Sequence, residues 1–241
     1  MNNFRIFSIT ILFVLYNHQL SLAQQARDSI TTYTWFDGMV GKENTNLING
    51  LEYIEQHVTV NNKQKFLASV LFLPGSVIYQ NEPYFNVELK YNVYDDLLLV
   101  KNIRGEAVIL HKNRIKSFKI ADHSFTHIRD TLQGNASGFF ELLLDAPQLS
   151  LLKKHKKKQK KFLDRSFTYF EFTEDTPHYV LYHNRNYFPA NTRREILRVF
   201  PEKAGEIRKF YRSHRKVEKN NKDQFMLQLL QDLNVVSLNM R

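Results

Sequence analysis

The sequence predicts an α+β protein: an antiparallel β-rich sandwich, roll or partly open barrel, followed by about three C-terminal helices. In Tyr84–Tyr94 one face is apolar and the other is mostly polar, and this period of two is typical of a half-buried strand. The apolar face carries Phe85, Val87, Leu89, Tyr91 and Val93. Similar segments recur every 8–12 residues with short turns between them, and helix-length crossovers are absent. From Asn191 the apolar residues follow helical spacing, so strands come first and helices last.

We expect the β-rich domain to cover residues 24–190. Short apolar and aromatic segments predict its strands, and turn residues such as Asn81-Glu82-Pro83 and Asn184-Arg185 separate them. Besides Tyr84–Tyr94, the predicted strands are Leu51–Val60, Phe66–Leu73, Gly75–Gln80, Leu97–Lys101, Ala107–His111, Ile115–Ile120, Phe125–Arg129, Gly138–Leu144, Gln148–Lys153, Arg165–Phe172, His178–His183 and Asn186–Phe188.

We expect the helical segment to cover residues 191–241 and to pack on or beside the sheet. Asn191 or Thr192 can cap the first helix. Pro201 ends that helix and begins a second one over Glu202–Arg212. A polar linker, Lys216–Asn221, precedes a third helix that opens at Asp223 and buries an apolar stripe containing Leu229.

Residues 1–23 have the order of a secretory signal peptide. One arginine precedes the uncharged apolar run Ile6–Tyr16 of 11 residues, and Ser21-Leu22-Ala23 supplies the small residues of a cleavage site. A transmembrane anchor, the alternative, needs about 20 apolar residues. We therefore expect cleavage after Ala23 and a periplasmic or extracellular protein with no transmembrane helix in the mature chain.

The positive charge is concentrated in the C-terminal part of the chain. Residues 1–145 have a formal charge of −1 and residues 146–241 one of +11. Lys153–Lys161 alone contains seven lysines and one histidine, and mutual repulsion predicts that this run is exposed. The simpler interpretation of the run is a solvated connector. The functional one is a patch that docks on anionic envelope polymers or lipid surfaces.

Basic residues of two predicted helices would extend this patch, since they lie at i, i+4 spacing. The complete candidate set for binding polyanions is Lys153, Lys154, Lys156, Lys157, Lys158, Lys160, Lys161, Arg194, Arg198, Arg208 and Arg212. We do not expect nucleic acid to be the partner of an exported protein.

Titratable residues do not form a recognisable catalytic motif. Asp95 and Asp96 beside Glu88 are the best carboxylate group, but adjacent residues in a strand or turn have no set separation, so a solvated turn is the preferred interpretation. His123 and His127 have the i, i+4 spacing of a helical metal pair, but their segment reads as a strand, which would hold them about 13 Å apart. With no cysteine in the chain, disulfides and thiolate chemistry are excluded. We assign no catalytic residue, metal or cofactor.

The segment Gly75–Val100 resembles a pattern in an uncharacterised family of secreted Bacteroidota proteins, in which a Gly-Ser-Val-x-Tyr strand, a turn and a strand like Tyr-x-Asn-Val-x-Leu-x-Tyr-Asp recur. The tail Thr192–Asn234 is similar to that family's ending, and the resemblance covers about three quarters of the mature chain. Asn92 stands where the pattern has Asp. The resemblance implies export and assigns no activity.

Two functional hypotheses follow from the sequence. The first is a non-enzymatic envelope-associated or binding protein with a basic C-terminal surface. The second is an envelope hydrolase with its site in the mouth of the β-sheet, which would require a cleft with convergent titratable groups.

Overall fold

A computed structural model describes residues 47–129 and 137–233; the predicted signal peptide and its cleavage site lie outside these residues. The strands are β1 Leu51–Glu52, β2 Leu73–Tyr79, β3 Glu82–Asn92, β4 Leu97–Lys101, β5 Ala107–Ile109, β6 Ile115–Ile120, β7 His123–Ile128, β8 Gly138–Ala146, β9 Leu149–Lys154, β10 Lys157–Leu163, β11 Thr168–Glu174, β12 His178–His183 and β13 Asn186–Pro189. The helices are α1 Arg193–Val199, α2 Ala204–Ser213, α3 Arg215–Asn220 and α4 Lys222–Asp232, with short 3₁₀ turns at Lys112–Arg114 and Pro201–Lys203.

Eleven of the strands form one antiparallel sheet in the order β1-β5-β4-β3-β2-β6-β7-β8-β9-β12-β13, and β10 and β11 form a separate two-stranded hairpin. The sheet is open, and it coils so that the turn between β3 and β4 contacts β8: the backbone N–H of Phe139 donates to Oδ1 of Asp96 at 3.4 Å. The predicted fold class, a β-rich and partly open antiparallel architecture followed by helices, is confirmed.

One face of the sheet, which we call the inner face, carries two apolar clusters. The first cluster is formed by side chains of strands β2 to β8. It is built around Leu89, Tyr91 and the aromatic side chains of β6–β8. The second cluster lies between β8, β9, β12 and the helices, whose buried residues include Phe225 and Leu229. Strand β8 joins the two clusters, because Phe139 lies in the first and Leu144 in the second. The helices thus complete the core of the same sheet.

A β-bulge in β3 moves one predicted core residue to the opposite face. Gly75 pairs with Val87 but Val77 pairs with Tyr84, so β3 has one more residue than β2 between these pairs. Asn86 absorbs the difference with a left-handed φ of 52°. Tyr84 is therefore buried in the first cluster, whereas Phe85 lines the outer face; the prediction that Phe85 shares the core face was wrong.

Other local differences follow from tertiary contacts. Of the predicted strand Leu51–Val60 only β1 forms, and Lys157–Leu163, for which no strand was predicted, is a strand of the separate two-stranded hairpin. The predicted polar linker Lys216–Asn221 is largely the short helix α3. Thr192 caps α1 as predicted, in a capping box with Glu195.

Candidate functional site

The lysine run does not form one exposed surface. Lys153 lies in β9, inside the sheet, and its Nζ donates to Oδ2 of Asp223 in α4 at 2.5 Å. Lys154, the last residue of β9, lies 3.3 Å from Oδ2 of Asp96. Both side chains are less than one-fifth exposed. The expectation that the whole run is exposed was therefore wrong, because acidic residues distant in sequence draw these ammonium groups into the structure.

The next part of the run anchors the β10–β11 hairpin. Nζ of Lys157 donates to the backbone carbonyls of Gln64 and Phe66, at 2.7 and 2.9 Å, and its side chain is 9% exposed. Lys156 contacts His178 at 3.0 Å. Beyond these residues the run reaches solvent, where the exposed members are Lys158, Lys160 and Lys161.

The four helical arginines of the candidate set are exposed. Arg194 and Arg198 lie on α1, which packs against α2, and Arg208 and Arg212 lie on the solvent side of α2. The opposite side of α2 buries Ile207, Phe210 and Tyr211. Helices α2 and α3 together present six exposed cations, which we call the helical basic face: Arg208, Lys209, Arg212, Arg215, Lys216 and Lys219.

None of these six cations forms an ion pair with a residue in the described ranges 47–129 and 137–233. The nearby acidic residues are already occupied: Glu206 contacts Lys203, and Glu218 contacts Lys222, each at 3.4 Å. Glu206 is itself exposed on α2. The helical basic face is therefore a concentration of positive charge that no acidic residue of the described part of the chain pairs with.

A buried carboxylate that sequence reasoning missed lies between the two apolar clusters. Glu141 of β8 is 7% exposed. Its Oε1 lies 2.5 Å from Nδ1 of His123 in β7, and its Oε2 lies 2.6 Å from Nε2 of His155. Burial alone would raise the pKa of Glu141, but the hydrogen bonds from His155 and His123 lower it to about 2. A lone acid within the apolar strand sequence GFFELLL was the available signal, since buried charges need partners.

A second polar group links the sheet to α4 beside Glu141. Lys153 pairs with Glu141 in the β8–β9 register. Asp223 accepts hydrogen bonds from Lys153 and, through Oδ1 at 2.5 Å, from the hydroxyl of Tyr179. Burial, together with this hydrogen bond to Asp223, raises the pKa of Tyr179 well above its ordinary value. Through these pairings Glu141, Lys153, Tyr179 and Asp223 tie β8, β9, β12 and α4 together.

The prediction that Asp96 lies in a solvated turn was wrong about the solvent. The residue does lie in a turn, but its side chain is only 15% exposed. Its carboxylate accepts hydrogen bonds from Tyr91 at 2.8 Å and from Lys112 at 2.5 Å, in addition to Lys154. Burial alone would raise the pKa of Asp96, but the hydrogen bond from Lys112 and the charges of Lys154 and Lys112 lower it. Gly138 has a φ of +112°, and a Cβ there would clash with the Asp96 carboxylate and the Lys154 amine.

The three carboxylates considered from sequence therefore have separate partners. Asp95 lies 3.6 Å from Lys65, and the exposed Glu88 lies 2.9 Å from Lys101. Asn92, fully buried, holds the Asp95 carboxylate through its side-chain amide at 2.7 Å. The three carboxylates therefore do not converge on one site.

His123 and His127 lie on β7, as predicted, and their rings make different contacts. His123 faces Glu141, whereas Nδ1 of His127 lies 3.2 Å from the carbonyl of Ile115. Within residues 47–129 and 137–233, histidine and carboxylate side chains form no group of three or more suited to holding a metal ion.

An open groove of about 370 Å³ lies on the outer face of β2, β3 and β6–β8. Its lining combines apolar side chains, including Phe85 and Leu142, with the hydroxyls of Ser117 and Thr126 and with Lys119. Glu141 and Asp96 do not line it. The open concavity and the buried carboxylates thus occupy different parts of the molecule.

Comparison with protein-family models, with curated proteins and with solved structures finds no match for this chain. In the described part of the chain, every helix is too short or too polar to cross a bilayer.

Proposed function

We propose that this protein is an exported, non-enzymatic envelope-associated protein that binds anionic polymers through the helical basic face. The observation that carries the proposal is the set of six exposed cations on α2 and α3 without internal counter-ions in the described residues. Closely spaced cations attract polyanions without requiring a particular ligand sequence, and added salt weakens that attraction.

We assign the proposed contact to the helices rather than to the lysine run. Lys153, Lys154 and Lys157 donate to groups within the protein, so their charges are largely compensated. The arginines of α2 and α3 are exposed to solvent, where a planar guanidinium can bind carboxylate or sulfate oxygens in pairs. Anionic polysaccharide and the saccharide part of lipopolysaccharide present such groups.

The alternative function, an envelope hydrolase, has less support. Both oxygens of Glu141 are occupied by histidines, and the Asp96 carboxylate is occupied by Tyr91 and lysines. A general acid or base needs a proton-transfer path to substrate, and the groove on the outer face is lined by neither carboxylate.

The proposal is tested by retention on a heparin resin along a salt gradient. Replacing Arg208, Arg212, Arg215 and Lys216 by Gln should lower the salt concentration at which the protein elutes. The matched control replaces four exposed cations elsewhere, Arg104, Arg114, Lys116 and Lys119, and removes the same total charge. Thermal midpoints of both variants should stay near that of the parent, because exposed charges contribute little to folding. If both variants eluted at the same salt concentration, retention would depend on net charge alone, and the proposal would be contradicted.

Export is part of the same proposal, and the order of residues 1–23 together with the resemblance to a secreted Bacteroidota family supports it. We expect the mature N-terminus at Gln24. N-terminal sequencing of protein recovered from the periplasm or the medium checks this, and recovery there with residues 1–23 intact would contradict it.

A further inference from the structure

The β10–β11 hairpin stands apart from the main sheet and has an apolar tip. Its strands pair in register from Lys157 with Glu174 to Leu163 with Thr168. Leu163 is 84% exposed and Phe167 is 44% exposed, although both are large apolar residues. Next to them the rings of Phe162 and Tyr169 stack in parallel with centroids 5.1 Å apart. This tip keeps four apolar or aromatic side chains close to solvent.

The base of the hairpin is fixed to the body of the protein. Phe172 is buried and packs against Tyr94 with ring centroids 5.0 Å apart. Lys157 donates to two backbone carbonyls of the preceding segment, and the backbone N–H of Phe170 donates to the carbonyl of Val58 at 2.8 Å. The tip is therefore presented by an anchored support, which reduces the entropy cost of binding through it.

Cations surround the apolar tip. Nζ of Lys160 lies 4.7 Å from the ring centroid of Phe162, and Lys161 and Arg165 are exposed. In the described residues these three cations form no ion pair, and Asp164 is the single acid between positions 160 and 167. Glu171, which faces Lys160 across the two strands, forms its ion pair with Lys63 at 2.7 Å. The tip half of the hairpin therefore carries a net positive charge around an apolar centre.

We propose that the hairpin tip is a contact site for an anionic lipid surface. Leu163 and Phe167 enter the boundary between headgroups and acyl chains, and the stacked Phe162 and Tyr169 lie at headgroup level, where aromatic rings are favoured. Lys160, Lys161 and Arg165 lie beside the lipid phosphates, with their aliphatic stems along the apolar surface. The combination of an apolar centre with unneutralised cations is complementary to an anionic bilayer. It is less suited to a soluble polyanion, which offers nothing to cover Leu163.

Co-sedimentation with vesicles made of phosphatidylglycerol and phosphatidylcholine in equal amounts tests this site, with the full mature protein. The parent should bind these vesicles and bind pure phosphatidylcholine much more weakly. Leu163→Ser combined with Phe167→Ser should lower the partition coefficient about tenfold or more, since both apolar contacts are removed. Lys160→Gln, Lys161→Gln and Arg165→Gln together should lower it on the order of 100-fold at low salt.

The matched control is Val70→Ser combined with Leu71→Ser, which changes two exposed apolar residues elsewhere, 52% and 70% exposed, and should leave vesicle binding unchanged. The Leu163/Phe167 variant should keep the parent's retention on heparin, which separates this site from the helical basic face. Vesicle binding equal to the parent's in both hairpin variants would overturn the proposal. The proposal would also be overturned if the parent formed a dimer and bound no vesicles, and the Leu163/Phe167 variant were a monomer. The partner of the hairpin tip would then be a second copy of the protein.

Discussion

Glu141 connects two imidazole rings across three adjacent strands. His123 approaches from β7 and His155 follows β9, so the carboxylate crosslinks strands that also carry both apolar clusters. A buried carboxylate with two hydrogen-bond donors contributes to stability only while it is ionised, and removing its charge leaves two ring N–H groups facing a weaker acceptor.

Glu141→Gln should change the pH dependence of stability. The pKa of Glu141 falls from an ordinary 4.5 to about 2 on folding, so its contribution is complete above pH 4.5 and is lost as the pH falls toward 2. That contribution is on the order of 3 kcal/mol. Urea unfolding should therefore show Glu141→Gln clearly less stable than the parent at pH 6, with the difference shrinking toward pH 2.5. The exposed Glu88→Gln is the control, and a constant difference across this pH range would contradict the assignment.

Strand β3 combines a regular alternation with one irregular position. Val87, Leu89 and Tyr91 keep the period of two on the inner face. Before the bulge at Asn86 the alternation is reversed, so that Tyr84 faces inward and Phe85 outward. Asn tolerates left-handed backbone better than most non-glycine residues, which explains how this position accommodates the extra residue.

Substitutions along β3 should follow the bulge rather than simple alternation. Leu89 is fully buried, so Leu89→Ala should cost about 2–5 kcal/mol through cavity formation, and Phe85→Ala on the outer face should cost clearly less. Glu88→Ala, at an exposed position between them, serves as the reference. Asn86→Gly should be tolerated, whereas Asn86→Ala should be destabilising, since alanine disfavours the φ of 52°. If Phe85→Ala and Leu89→Ala lowered the free energy of unfolding in urea equally, Phe85 would belong to the core, contrary to the prediction.

At the scale of the whole molecule, sheet and helices share one core. Strand β8 contributes Phe139 to the first cluster and Leu144 to the second, and α4 packs on β8 and connects to β9 through the contact between Lys153 and Asp223. The net positive charge lies on the helices and hairpin at the surface, where it leaves this core undisturbed.

Because β8 joins the clusters, the protein should unfold in one cooperative transition. Leu89→Ala in the first cluster and Leu229→Ala in the second, both fully buried, should each lower the midpoint of that same transition. Circular dichroism and tyrosine fluorescence in urea should give coincident curves for the parent and for both variants. Two separate transitions, each shifted by only one substitution, would mean that the helical segment folds independently of the sheet.

The sequence by itself determined those features that depend on neighbours along the chain. Short apolar segments between turns identified strands such as Leu97–Lys101, Ile115–Ile120 and His178–His183 with their observed bounds, and the capping signal at Asn191 or Thr192 identified the start of α1. These features depend on local backbone preferences and on one buried face, both of which a short window of sequence contains.

Only the tertiary structure decided which charges are buried and which remain exposed. Lys153 reaches Asp223 over 70 positions and Lys154 reaches Asp96 over 58, so the local run of positive charge gave no indication of either partner. The local sequence likewise gave no indication of the two histidines that contact Glu141. It also gave none of the extra residue in β3, because that residue is extra only in the pairing of β3 with β2. A side chain's charge repels its neighbours in sequence, but its final environment is set by whichever strands and helices pack against it, and that pairing is not encoded in any local pattern.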